Sequence, residues 1–209
     1  MTFRRGHLFF CIVALGCGIL GSYLGANFRS AAYQSLGGMD LDFVSKQLIA
    51  LGEQDQRDRQ KAMSAGFDNM ALAQSDRHRE TEWLQLTSGR LLGLSEVGPD
   101  AVNAQFLFIQ HSGDRVLQAS MARQMRELVA NDEFPKDAYA TFIDRQLVYD
   151  GHPQRYGTQA DESFELYPIE DHSRVDARRE SMGLPPIAEL KSTLEQVKQA
   201  IAAGKGIGE

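Results

Sequence analysis

Beyond residue 40 the apolar side chains recur three and four positions apart. Nearly every break in that rhythm falls at a glycine, a proline or a capping residue, which constrains the chain to helices joined by short turns. Val44, Leu48 and Leu51 begin a first helix that continues through QDQRDRQKAM to about Ala65, where Gly66 interrupts. A second is expected from Ser75 or Asp76, both good N-cap types, presenting Trp83, Leu84, Leu91 and Leu92. Gly98-Pro99-Asp100 opens the strongly apolar AVNAQFLFIQHS. Asp114 can cap a helix bearing Leu117, Met121, Met125 and Leu128, with the methionines as core filler. Pro135 is expected to close that helix, KDAYATFIDRQLVY supplies another, and Gly151 suits the C′ position that ends it. A last pair, RVDARRES and AELKSTLEQVKQAIA, flanks Gly183-Leu184-Pro185-Pro186, and its second member carries the stripe Leu190, Leu194, Val197 and Ile201. The expected fold is mainly α: a helical bundle over residues 40–203, followed by a flexible tail at 204–209.

Between His152 and Asp171 the helical period vanishes, leaving an ordered polar loop with room for a short β-hairpin from HPQRYGTQ and SFELYPIED. A long loop inside a compact domain needs a reason to be ordered. Gln154, Tyr156, Thr158 and Gln159 crowd around Gly157, and such side chains either satisfy the loop's own backbone or receive a ligand.

The N-terminal part is different in kind. LFFCIVALGCGILGSYLGA, residues 8–26, carries no charge and is long enough to cross a hydrocarbon core of roughly 30 Å as a helix. Arg4 and Arg5 precede it and only Arg29 soon follows, so residues 1–7 are expected in the cytoplasm. A linker at 27–39 then leads to a domain in the periplasm, anchored by this single pass in the inner membrane. The alternative is secretion after signal cleavage, with Ser30 and Ala32 at −3 and −1, although the apolar run exceeds a usual signal core. Gly21 and Gly25 form a GxxxG pair suited to homodimer formation; the plainer reading is small residues common in membrane helices.

Residues 1–39 hold three arginines and no acid, so the overall charge of −6 leaves −9 on the remainder, which argues against a nucleic-acid partner. Both cysteines, Cys11 and Cys17, lie in the apolar run, so thiol and thiolate-metal chemistry is excluded from the domain. The five histidines are scattered with no HxxxH pair, and neither a GxSxG elbow nor a P-loop occurs in the domain. No metal and no cofactor are expected.

Three stretches carry candidate chemistry. The polar loop is one. In FIQHSGDRVLQ, Gln110 and His111 end an apolar helix, placing an imidazole at a core boundary, and the Gly113 break decides whether Gln118 can face it. In EQDQRDR, Asp55 and Arg59 are i, i+4 neighbours beside Gln56, a pairing that is common on exposed helix faces.

Taken together these segments resemble a bacterial domain-of-unknown-function family, number 6624. Its pattern is E-D-Q-x-x-R, then Q-H with a later Q, D-R before G-x-P-Q-x-Y-G-T-Q, P-I-E-D, and R-R-x-x-x-G-L. Here the counterparts are Asp55, Gln56 and Arg59; Gln110, His111 and Gln118; Asp144 and Arg145; GHPQRYGTQ; YPIED; and Arg178, Arg179, Gly183 and Leu184, in the same order over roughly residues 41–191. Where relatives resemble G-W-P before the Q-H helix, this chain has LLGLSEVGPD. The resemblance lends no reaction. It implies that polar segments far apart in sequence serve one recognition device, and it favours His111 over His152.

Two functions follow as expectations. In the first, the domain binds a small polar ligand or a partner through a pocket lined by Arg59, Gln110, Gln118, Arg145, Gln154, Tyr156, Thr158 and Gln159. In the second it is a cofactor-independent hydrolase or transferase acting on a polar envelope substrate, with His111 as general base or acid, Asp55 or Asp144 orienting it, and Arg59 or Arg145 holding an anionic group. A third reading makes the same residues a buried network that locks helices to the YGTQ loop.

Overall fold

The computed structural model describes residues 40–65 and 69–203. The apolar run 8–26 with Gly21 and Gly25, the linker, Gly66 and the tail at 204–209 lie outside them, and among the described residues no helix is long and apolar enough to cross a membrane. The protein is mainly helical: α1 Leu41–Ala65, α2 Asn69–Thr87, α3 Leu94–His111, α4 Arg115–Ala130, α5 Lys136–Tyr149, a 3-10 turn at His172–Arg174, α6 Val175–Ser181 and α7 Ile187–Ala202. The chain divides within α5 into two compact units, whose described residues are 40–139 and 140–203.

In the first unit α1 packs on α3 and on α2. Leu41, Val44, Leu48 and Leu51 are its buried stripe, as their spacing requires. Gly52 continues that stripe with no side chain, because a Cβ there would sit 2.6 Å from the Cβ of Ala104 on α3. Trp83 of α2 is fully buried, meets Phe108 edge-on at 6.4 Å, and donates its indole N–H to Gln105 Oε1. Gln105 also accepts from Leu92 N and donates to Leu92 O, so one buried carboxamide pins the connection between α2 and α3.

Several sequence expectations need correction in this unit. The second helix starts at Asn69, not at Ser75 or Asp76. Met70 to Gln74 are good helix formers, and the Asp76 side chain is drawn to arginines instead of to a helix N-terminus. Leu84 is 45% exposed, while Leu91 and Leu92 are buried but lie beyond the helix. The helix expected to open at Gly98-Pro99 already begins at Leu94, and Gly98, at φ 79° and ψ 169°, kinks it just before Pro99; Asp114 acts as read, its carboxylate accepting from Val116 N and Leu117 N at the start of α4.

The second unit holds the remainder of α5, the long loop, α6 and α7. Gly151 at φ +76° ends α5; its N–H bonds Val148 O while that of His152 bonds Leu147 O, the paired closure of a left-handed C-terminal cap. The loop forms no hairpin. It has two isolated bridges, Gln154 with Ile169 in parallel sense and Ala160 with Leu166 antiparallel. Gly157 and Phe164 at positive φ, and Pro168 without an N–H, prevent a continuous ladder. Leu194 and Val197 of the α7 stripe are buried, while Ile201 is 45% exposed.

Candidate functional site

The richest polar constellation of the first unit joins three helices. Asp55 and Arg59, one turn apart on α1, meet His111 at the last position of α3, with Asp76 and Arg79 of α2 beside them. The ion pair is not the exposed surface pair that its spacing suggests, because Asp55 is fully buried. Its Oδ1 receives Arg59 and Arg79, at 3.1 and 3.3 Å, and its Oδ2 receives Gln56 Nε2 at 2.9 Å with His111 Nδ1 at 3.0 Å. Burial pushes the Asp55 carboxyl up, but the hydrogen bond and charge of His111, together with Arg59, outweigh it and hold the group below its ordinary value of 3.8.

His111 Nδ1 stands between a donor and an acceptor, and its tautomer decides which of them it bonds. Arg59 Nε lies 2.8 Å from Nδ1, and Nδ1 cannot accept from Arg59 while donating to Asp55. A bare Nδ1 lone pair would face a carboxylate oxygen at 3.0 Å, which is repulsive, and Arg59 Nε already has both Asp55 oxygens as acceptors at 3.1 and 3.2 Å. With the proton on Nε2, Nδ1 accepts from Arg59 Nε; with the proton on Nδ1 the ring donates to Asp55, Nε2 is the basic nitrogen and Arg59 Nε turns to the Asp55 oxygens. An imidazole oriented in this way by a carboxylate is competent for general acid–base chemistry. The His111 side chain keeps 13% exposure and Arg59 24%, so the cluster reaches the surface although its carboxylate does not.

Arg79, 1% exposed, also binds Asp58 at 2.8 Å and Asp76 at 2.6 Å, and Asp76 binds Arg59 at 2.7 Å. Asp58 and Arg79 did not stand out in the sequence, and Asp76 did so only as a helix cap. The available signal was the i, i+3 spacing of Asp76 and Arg79, hidden by reading Asp76 as a cap. Three carboxylates against two guanidiniums leave the cluster at formal charge −1 with a neutral imidazole.

Gln110 is buried in the last turn of α3, one residue before His111. Gln118, also buried, donates to Ser112 O at 2.8 Å and accepts from Arg115, so it ties the corner after His111. A shallow recess of about 490 Å³ is lined by Arg57, Gln60, Lys61 and Ser64. Helical spacing puts it on the opposite face of α1 from Asp55 and Arg59.

In the second unit the polar loop is organised around Asp144, which is fully buried. Its Oδ1 accepts from Arg155 N at 2.7 Å and Tyr156 N at 3.0 Å, and its Oδ2 from Thr158 N at 2.9 Å and the Thr158 hydroxyl at 3.0 Å. Burial pushes the Asp144 carboxyl up from its ordinary range, and the bonds from Tyr156, Thr158 and Arg155 only partly pull it back. Of the two carboxylates expected to orient His111, Asp55 is the one bonded to it, and Asp144 is committed to the loop.

Gln154 is fully buried; its Oε1 accepts from Gln159 N, and its Nε2 donates to Gln159 O and Tyr167 O. The Gln159 amide donates to the Thr158 hydroxyl and to Thr141 O. These carboxamides therefore satisfy backbone that the irregular loop leaves unpaired, the self-supporting member of the pair of readings their residue types allowed.

Arg178 and Arg179, notable in the sequence only as part of a pattern, clasp the same loop from α6. Arg178 donates to the carbonyls of Arg155, Glu170 and Asp171, and buried Arg179 to those of Tyr156, Gly157 and Pro185. Gly183 and Leu184 end α6 by returning their N–H groups to Glu180 O and Arg179 O, so RRxxxGL reads as two loop clasps followed by a helix stop.

Arg145 is buried at 7% exposure and stacks its guanidinium 5.8 Å from the Tyr149 ring centroid. No group of three or more metal-ligating side chains occurs among the described residues.

No curated protein and no solved structure matches this chain. A family model described as a family of unknown function, DUF6624, matches residues 42–202, and the chain belongs to that family.

Proposed function

We propose that this chain is a membrane-anchored, periplasm-facing binding domain that takes a small polar ligand at the Asp55–Arg59–His111 cluster, with residues 8–26 as its anchor. The observation that carries the reading is a partly exposed imidazole whose Nδ1 lies 3.0 Å from a fully buried carboxylate, with a partly exposed guanidinium beside it. An oriented donor and acceptor pair at a surface opening suits a ligand carrying both an acidic and a hydroxyl or amide group. Gln118 ties the corner after His111 through Ser112 O, and Gln110 is buried in the last turn of α3. Among the residues of the loop, Tyr156 and Thr158 supply backbone order, and Gln154 and Gln159 hold that backbone.

The second reading is a cofactor-independent hydrolase or transferase. The Asp55–His111 pair favours it, with His111 as general base and Asp55 as its orienting group.

The test is thermal shift of the full chain in detergent against a panel of polar envelope metabolites. A ligand at 100 times its Kd adds about 2.7 kcal/mol of stability. The expected result is at least one stabiliser whose effect disappears in His111→Ala and in Arg59→Met. A panel without any stabiliser, or one whose stabilisers act equally on His111→Ala, overturns the binding reading. Turnover of a stabilising compound that vanishes in both His111→Ala and Asp55→Asn supports the catalytic one.

A further inference from the structure

Three arginines are buried among the described residues, and two of them are paired. Arg79 faces carboxylates, and Arg179 donates to three carbonyls. Arg145, with 7% exposure, is the exception: Arg79 leaves its Nε without a hydrogen-bond partner but pairs its other nitrogens with carboxylates, whereas among the described residues neither Nε nor Nη1 of Arg145 has a partner, and it meets the Tyr149 ring at 5.8 Å. A guanidinium is almost never buried unpaired, because losing water without gaining an acceptor is unfavourable. Its planar fork of N–H groups matches the two oxygens of a carboxylate or a phosphate.

We infer that Arg145 is an oxyanion-recognition residue, held desolvated and unpaired beneath Tyr149 for a small solute bearing a carboxylate or phosphate group. Tyr149 lies one helical turn beyond Arg145 on α5 and is 48% exposed, so the ring beside the guanidinium stands at the protein surface. The exposed cation–π contact is weak next to a bidentate charge-assisted pair, so the exchange favours the bound oxyanion. The inference stands on the second unit alone and does not depend on the His111 cluster.

A binding arginine kept unpaired in this way burdens the unliganded protein, whereas an arginine present for structure supports it. The full chain in detergent, its Arg145→Met and Arg145→Lys variants, and titrations of sodium phosphate and sodium acetate against sodium chloride at constant ionic strength separate the two. The expected result is a saturable rise in wild-type melting temperature with phosphate or acetate, and the stronger of the two names the oxyanion. Arg145→Met melts higher than wild type without either salt and responds to neither, and Arg145→Lys responds more weakly. An Arg145→Met that melts lower than wild type, or oxyanion effects equal to chloride in the wild type, overturns the inference. Should Arg145→Met not fold, the Arg145 Nε–H resonance of the wild type decides: displacement by phosphate or acetate and not by chloride supports the site, and a stationary signal refutes it.

Discussion

Asp144→Ala removes the acceptor at the centre of the polar loop. The carboxylate receives three backbone N–H groups and one hydroxyl, at 2.7 to 3.0 Å. Arg155 is exposed and its N–H can turn to water, but those of Tyr156 and Thr158 lie in buried or half-buried surroundings. Each buried donor left without a partner costs about 1–3 kcal/mol, so the two together cost about 2–6 kcal/mol. Asp144→Asn keeps the shape but places an amide N–H₂ against donors on one side, for about half that loss. In a domain of this size about 1 kcal/mol moves the melting temperature by about 2–4 °C, so Asp144→Ala should lower it by about 4–24 °C and Asp144→Asn by roughly half as much. Urea unfolding followed by circular dichroism measures the same quantity independently. Thr158→Val, which removes the hydroxyl alone, should cost about 1 kcal/mol and serves as the control. An Asp144→Asn protein within 1 °C of wild type, by about the resolution that scale implies, would refute the assignment of Asp144 as the loop's acceptor.

Three further outcomes follow from other contacts. Gly52→Ala should destabilise by about 1–3 kcal/mol despite alanine's better helix propensity, since its Cβ would lie 2.6 Å from Ala104 Cβ and 2.9 Å from Ala104 Cα; Ala104→Gly in the same chain should recover part of the loss, measured by urea midpoint. Gly157→Ala adds about 1–2 kcal/mol of left-handed backbone strain at φ +69° to a Cβ within 2.9 Å of Ile169 and Ile187, so a melting temperature equal to wild type would contradict the loop geometry. Asp55 has a lowered folded pKa, so its contribution is fully present above the ordinary value of 3.8 and is lost as pH falls through the lower folded value. Stability measured between pH 2 and 5, roughly the window that sign defines, should therefore fall less steeply in Asp55→Asn than in wild type.

What the sequence disclosed was local. Asp114 and Gly151 act through groups one to four residues away, and each sits at the helix boundary expected of it, whereas Pro135 stands past the end of α4 at Ala130 and directly before α5. Asp76 misled for the opposite reason, since its partners include Arg59 on another helix. Asp55 and Arg59 look like any surface pair, and what meets buried Asp55 is Arg79 of α2 and His111 of α3, 24 and 56 positions away (79 − 55 and 111 − 55), which periodicity does not encode. The loop was recognised as ordered, and the composition of YGTQ allowed a supporting or a receiving role equally. Arg178 and Arg179 settled its support, reaching carbonyls 23 residues earlier in the chain. No rule of spacing anticipates such a clasp.

The central claim is that Asp55 orients His111 with the proton on Nδ1, which makes Nε2 the basic nitrogen of the cluster. Long-range ¹H–¹⁵N correlation of the histidine rings, assigned with His111→Gln, reads this directly. The account predicts that neutral His111 shows the Nδ1–H tautomer in wild type and loses that preference in Asp55→Asn. A His111 ring protonated on Nε2 in the wild type, with Nδ1 accepting from Arg59, would contradict it.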